Sequence, residues 1–128
     1  MRPDYTFGRC GRWRDCISYW SRKLFFVTLL TIFYLAFAPY VDVGPDFEQA
    51  DKFKHAAAFA VLTLLYGFGF GGKWLKIFGW MLLIGCFIET VQYFLPYRDA
   101  SILDIIADSV GIIIGNLARE NFPIKGYE

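Results

Sequence analysis

The sequence lacks two features that would assign it to a familiar class of soluble protein. Its 13 Lys and Arg residues nearly balance its 12 Asp and Glu residues, and a formal net charge of +1 does not favour a nucleic-acid partner. Its three cysteines are an odd number without CxxC spacing, so they provide neither a disulfide framework nor a zinc motif. Function has to be inferred from the hydrophobic runs and the charges within them.

Hydrophobic residues are what the sequence has in excess. They make up 56% of the chain, aromatic residues alone make up 20%, and the mean hydropathy is +0.39. These values are typical of a small integral membrane protein. Four runs approach the roughly 17–25 helical residues that cross a hydrocarbon core of about 30 Å. We therefore predict an all-α integral membrane protein, a four-transmembrane-helix bundle with helices at about 24–41, 53–70, 74–95 and 102–118.

Basic residues predict the orientation of this bundle. Residues 1–23 are rich in Arg and the connection 71–73 is basic, whereas the loop before residue 51 is acidic. Because Lys and Arg in short loops favour the cytoplasmic side, both termini are predicted to be cytoplasmic. The chain then divides into a basic, aromatic and amphipathic N-terminal segment (1–23), a membrane domain (24–118) and a cytoplasmic tail (119–128).

The first run has a competing interpretation as a cleaved signal peptide. Ala36-Phe37-Ala38 has the spacing of a cleavage site. Pro39 would follow that cut, which is unfavourable, and the basic stretch before the run is longer than in signal peptides. We therefore predict that the run is retained as a transmembrane helix.

Polar and ionisable residues at the ends of these runs are the main indication of function. On insertion scales a charge at the centre of a membrane-spanning helix costs about 2.5–3.5 kcal/mol, so such residues usually face protein or water. Under the predicted topology they gather at the outer face, which favours one assembled site. We predict that this site contains Asp51, Lys52, His55, Glu89, Gln92, Arg98, Ser101, Asp104 and Asp108.

The fourth helix has the clearest pattern of these residues. Ser101, Asp104, Asp108, Gly111 and Gly115 recur at spacings of three and four residues, which places them on one helix face. Ser101 is also predicted to be the N-cap of this helix, with Asp104 three residues later imitating a capping box.

Small residues on the same helix predict close packing. Ala107, Gly111 and Gly115 form a small-xxx-small series that lets another backbone approach and that could support a homo-oligomer. The isoleucines assigned to the opposite surface, Ile112 among them, suit contact with lipid.

The connections predict how the polar groups meet. Because the loops after the second and third helices are short, the second, third and fourth helices should be antiparallel neighbours. His55, Glu89 and Asp104 would then approach one another near the outer leaflet. These three residues are also the candidates for a catalytic role.

With these motifs the chain resembles a short version of the VanZ-like membrane protein family, over about residues 51–115. The resemblance rests on Asp51-Lys52 followed by His55, on Glu89 with Gln92, on Arg98 with Ser101, and on Asp104 followed by Gly111 and Gly115. The chain departs from the family at Asp108, where Asn is usual. The resemblance implies a cell-envelope protein of the bacterial inner membrane, and a link to resistance against glycopeptide antibiotics such as the lipid-bearing teicoplanin.

Three interpretations of the site remain open. The first is binding of an anionic or amphipathic, lipid-linked envelope ligand, with Arg98 contacting a phosphate or carboxylate. The second is a structural ion-pair network that ties the helices together, with Lys52 or Arg98 as the cation. Its acid is Asp51, Glu89 or Asp104. The third is catalysis by His55, oriented by Asp51 and assisted by nearby carboxylates.

We favour binding over catalysis, because no nucleophile is obvious and Ser101 is expected to cap a helix. One histidine among carboxylates is a weak metal signal, so we expect no metal and no cofactor. The expected partners are the lipid bilayer and the amphipathic ligand, with no nucleic acid. A proton relay through Asp, His and Glu would need a polar path across the bundle, and the inner halves of the helices look dry.

Overall fold

A computed structural model describes residues 13–39 and 49–122 of the chain. These residues form four α-helices: α1 (Trp13–Phe37), α2 (Ala50–Phe70), α3 (Trp74–Phe94) and α4 (Ile102–Asn121). The described residues contain no strand, so the predicted all-α class is confirmed.

The boundaries differ most at the first helix. α1 begins at Trp13, so residues 13–23, predicted as a separate N-terminal segment, continue into the first hydrophobic run as one helix. The reason is that no Pro or Gly interrupts the sequence between Trp13 and Phe37. Residues 1–12, the predicted end of the first helix at 41, and the tail beyond 122 lie outside the described residues.

The other three helices follow the predictions more closely. α2 begins at Ala50 instead of residue 53, and α3 agrees with its prediction to within one residue at its end. α4 extends beyond residue 118 to Asn121, so part of the predicted tail is helical.

Three helices, α1, α2 and α3, are long and apolar enough to cross a membrane. α4 has the length of such a helix but carries four charged residues, Asp104, Asp108, Arg119 and Glu120. Large apolar side chains are exposed on every helix, which suits lipid contact, since a soluble monomer rarely exposes so much apolar surface. The most exposed include Leu30, Tyr34, Leu75, Leu83 and Ile102.

The helices do not pack in chain order. α2 packs most extensively on α4 and next on α1, whereas α3 packs mainly on α4 and has little contact with α2. The prediction of neighbours is therefore confirmed for α3 and α4, and α2 and α3 are in contact over a smaller area. α2 and α4 run parallel, because Lys52 lies beside Asp104 at one end and Gly67 beside Arg119 at the other.

The hydrophobic core lies where these helices meet. It contains residues of all four helices: Phe25, Phe59, Leu62, Ile77, Met81, Ile88 and Ile112. Ile112 is fully buried, so its predicted contact with lipid is wrong. The reason is that α4 packs against α2 and α3 on two sides, which buries a wider arc of its surface than one stripe.

Glycines set the close approach of α2 to α4. A Cβ at Gly111 would overlap the carbonyl oxygen of Ala56, and a Cβ at Gly115 would lie 2.7 Å from the carbonyl oxygen of Ala60. The predicted small-residue packing thus occurs within the chain, with Ala107 half-buried on the same helix. Both glycines are buried against α2, so a homo-oligomer, which stays a prediction, would need a different surface.

Cys16 near the start of α1 is disulfide-bonded, whereas Cys86 in α3 is a free thiol. The cysteine spacing did not predict this cross-link.

We predict that Gly111→Ala destabilises the protein by about 1–3 kcal/mol, because the new methyl group overpacks the α2–α4 contact. Gly79→Ala is the matched control, since a Cβ at this exposed position of α3 meets nothing within 4 Å. It should leave stability unchanged or raise it by up to about 1 kcal/mol through helix propensity. The measurement is unfolding by sodium dodecyl sulfate, followed by circular dichroism. Equal effects of both substitutions would contradict the packing described.

Candidate functional site

The polar residues gather at one end of the bundle, where α1 and α3 end and α2 and α4 begin. Because α2 and α4 are parallel, the first turns of both helices lie at the same level. The last turns of α3 and α1 reach that level from the opposite direction. We call this end of the bundle the polar end.

His55 and Asp108 form its most buried pair. A hydrogen bond of 2.8 Å joins Nδ1 of His55 to Oδ1 of Asp108, whose side chain is completely buried. Gly85 of α3 leaves the space for this carboxyl group, because a Cβ there would lie 2.7 Å from Asp108 Oδ2. Asp51, predicted to orient His55, is exposed, and the carboxylate bonded to the ring is Asp108.

Glu89 connects the end of α3 to the beginning of α4. Its Oε2 accepts a hydrogen bond of 3.1 Å from the backbone N–H of Ser101. The Ser101 side chain accepts one of 3.2 Å from the N–H of Leu103, which confirms the predicted N-cap. In a capping box the residue three positions later would bond the Ser101 N–H. Glu89 occupies that role, so the predicted contribution of Asp104 is wrong.

The Asp104 carboxylate therefore faces Lys52 of α2 instead of the Ser101 N–H. Its Oδ1 lies 3.7 Å from Nζ of Lys52, a distance that allows ion pairing but is too long for a hydrogen bond. One potential metal-ligating atom from each of His55, Glu89 and Asp104 lies within 4.8 Å of the others. The structure thus brings together the three residues that the sequence analysis expected to meet.

Arg98, Gln92 and Tyr97 contact the end of α1. Arg98 donates to the carbonyl oxygens of Leu35 and Ala38 at 2.7 and 2.6 Å. Gln92 donates to Ala36 at 3.1 Å and Tyr97 to Phe37 at 2.7 Å.

The last carbonyls of a helix have no partner within it, so these donors satisfy groups that would otherwise be left unpaired in an apolar setting. Two predicted ligand-binding residues, Arg98 and Gln92, thus also attach α1 to the bundle.

A cavity of about 390 Å³ opens beside the polar end, between α1, α2 and α3. Its walls are largely apolar, with Leu35, Phe59 and Ile88 among them. Its polar lining comes from Asp51, Lys54, His55, Gln92 and Arg98. Its volume lies within the roughly 300–1,000 Å³ of small-molecule sites.

Sequence analysis missed buried polar residues in the other half of the bundle. Thr63 and Asn116 are fully buried, and their side-chain polar atoms have no hydrogen-bond partner among the described residues. The inner halves of the helices were expected to lack polar side chains, and Thr63 and Asn116 are exceptions. Asn116 could have been found as an amide within an otherwise apolar part of α4.

A separate set of contacts attaches both α1 and α4 to the end of α2, at the opposite end of the bundle. Ser18 and Arg22 both donate to the carbonyl oxygen of Gly69, at 2.9 and 2.7 Å. Arg119 donates to the carbonyl oxygen of Gly72 at 3.3 Å. These donors satisfy carbonyls where α2 ends.

Comparison with known proteins identifies a matching family. The model of the VanZ/LLP1 family matches residues 16–119, most of the chain. No curated protein and no solved structure matches.

We predict that Tyr97→Phe destabilises the protein by about 0.5–1.5 kcal/mol, because it removes the hydrogen bond to the Phe37 carbonyl. Tyr93→Phe is the matched control, since Tyr93 is 76% exposed at the end of α3. Both variants should be compared by unfolding in sodium dodecyl sulfate. A Tyr93→Phe variant as unstable as Tyr97→Phe would show that the hydroxyl contact to α1 contributes nothing particular.

Proposed function

Because the chain belongs to the VanZ/LLP1 family, we propose that it is a multi-pass inner-membrane protein that binds an amphipathic, lipid-linked ligand of the cell envelope. The observation that carries this proposal is the cavity beside the polar end. One part of its lining is apolar and suits an acyl or prenyl chain. The other part is polar and suits a head group.

The charges of the cavity favour an anionic head group. Lys54 and Arg98 line it together with the single acidic side chain Asp51, and His55 and Gln92 add hydrogen-bonding groups. Guanidinium and ammonium groups recognise phosphate and carboxylate. Arg98 donates to two carbonyls of α1, so its substitution would also disturb the attachment of α1. Lys54 is the other cation of the lining, and its substitution tests the charge of the head-group site.

Binding is favoured over catalysis by the positions of the hydroxyl and imidazole groups. The Ser101 side chain caps α4, and the His55 ring is bonded to the buried Asp108. A purely structural network is the second candidate function, favoured by the bond from Ser101 to Glu89 and by the contacts of Arg98 with α1.

Native mass spectrometry of the detergent-purified protein tests the proposed ligand. Wild type should carry a discrete adduct, and Lys54→Gln should reduce its occupancy several-fold, because it removes a charge from the cavity lining. Ala57→Phe should abolish the adduct, because the ring fills the apolar part of the cavity. Lys76→Gln and Val61→Phe are matched controls at exposed positions outside the cavity lining.

Wild type without an adduct, or equal adducts on all folded variants, would favour the structural network. The same variants test the cellular consequence that we propose, tolerance to teicoplanin-type antibiotics. Expression of wild type should raise the inhibitory concentration of teicoplanin, and Lys54→Gln should raise it less.

We also propose that α4 crosses the membrane with α1–α3 and that both termini are cytoplasmic. The Arg-rich sequence before α1 and the basic connection between α2 and α3 support this orientation. The disulfide at Cys16 argues for the opposite one, because disulfides persist on the oxidising side of the membrane. We give more weight to the basic residues, because they occur in two separate segments that this topology places on the same side, one before α1 and one between α2 and α3.

Labelling in intact cells distinguishes the two orientations. Asp99→Cys, at an exposed position of the α3–α4 connection, should react with a membrane-impermeant maleimide. Asn121→Cys, exposed at the end of α4, should react only after lysis, and wild type reports the labelling of the natural cysteines. The reverse pattern would place the polar end in the cytoplasm, and labelling of both positions from outside would show that α4 does not cross.

A further inference from the structure

Three buried acidic groups at the polar end face two basic groups that pair with them among the described residues. Glu89, Asp104 and Asp108 are all more than nine-tenths buried. Lys52, about one-third exposed, lies 3.7 Å from Asp104, and His55 lies 2.8 Å from Asp108 and 4.0 Å from Glu89. Buried charges are strongly unfavourable unless they are paired or coordinate a metal. From this imbalance and the geometry below, we propose that His55, Glu89 and Asp104 bind a divalent transition-metal ion of the zinc or manganese type.

Two carboxylate oxygens in this cluster are buried and lack a hydrogen bond within the described part of the chain. Oε1 of Glu89 and Oδ1 of Asp104 accept no hydrogen bond from the residues that the structure describes. Buried polar atoms in native proteins are nearly always hydrogen-bonded, so such exceptions need an explanation. A bound cation supplies it, because it would be shared by both oxygens.

The positions of the side chains suit metal binding. One ligating atom of each of the three residues lies within 4.8 Å of the others. Zinc bonds to nitrogen and oxygen ligands are about 2.0–2.2 Å long and tetrahedrally arranged, so ligand atoms lie about 3.3–3.6 Å apart. Side-chain rotations that draw the three ligating atoms together by about 1 Å would bring them into range.

Hydrogen bonds already fix two of the three ligands. The second oxygen of Glu89 accepts the Ser101 N–H, and Asp108 is bonded to Nδ1 of His55, which leaves Nε2 as the ring nitrogen that would ligate the metal. A carboxylate bonded to a ligating histidine is a recurring feature of metal sites, where it orients the imidazole. This assigns Asp108 a positioning role.

The donor set selects the class of ion. An imidazole nitrogen favours zinc and other transition metals, whereas magnesium and calcium prefer oxygen ligands alone. Three protein ligands leave coordination positions for water or for a ligand oxygen. The metal proposal does not depend on the lipid-linked ligand, since Glu89 and Asp104 do not line the cavity.

Metal binding can be measured directly on the purified protein. The protein is isolated with a tag that contains no histidine, stripped with EDTA, and equilibrated with Zn²⁺ or Mn²⁺. Bound metal is then counted by inductively coupled plasma mass spectrometry. We expect about one equivalent on wild type, with affinity reduced at least tenfold by Glu89→Gln and by Asp104→Asn. Magnesium and calcium should not compete at equal concentration.

Matched controls separate this site from surface binding. Glu120→Gln and Asp99→Asn make the same chemical changes at exposed positions, and both should bind metal as wild type does. Far-UV circular dichroism checks that each variant is folded. No metal on wild type, or equal loss in Glu120→Gln and Glu89→Gln, would overturn the proposal.

A gain of affinity provides a test that misfolding cannot imitate. Lys52 competes with the metal for Asp104 Oδ1, so Lys52→Gln should tighten metal binding several-fold. If Lys52 is instead the permanent partner of these acids, the variant will be less stable and will bind no more metal than wild type. That result would also overturn the proposal.

Discussion

The parallel contact between α2 and α4 is the constraint on which the rest of the structure depends. Gly111 and Gly115 let the α2 backbone approach so closely that a side chain at either position would collide with it. Close approach fixes the register of the two helices as well as their separation. It places His55 level with Asp108 and Lys52 level with Asp104. The glycines thus position the site without belonging to it.

The same contact explains how α4 tolerates its charges. Asp104 and Asp108 would be costly in an isolated membrane-spanning helix, and α4 is absent from the helices that are apolar enough by composition. In the bundle these side chains face Lys52 and His55 on α2, so each carboxylate is directed towards protein. Hydropathy evaluates each helix as if it had no neighbours, so it leaves this pairing out of account for α4, which we propose to cross the membrane.

The sequence predicted what depends on local patterns. The helices, the polar stripe of α4 and the N-cap at Ser101 all follow from spacing within one segment. The sequence could not predict contacts between helices that are distant in the chain. Arg98 was interpreted as a ligand group, but it donates to α1 carbonyls sixty or more residues away. His55 was paired with Asp51 one turn back, although its partner lies on α4. Which of several carboxylates meets a given histidine depends on tertiary packing.

The position of α4 after α2 and α3 in the sequence has a consequence for biosynthesis. A ribosome makes the chain from its N-terminus, so α2 and α3 leave it before the residues of α4 exist. At that stage His55 has not yet met the Asp108 carboxylate, and Glu89 has not yet met the Ser101 N–H. The hydrogen bonds of the polar end can therefore form only after α4 has joined the other helices.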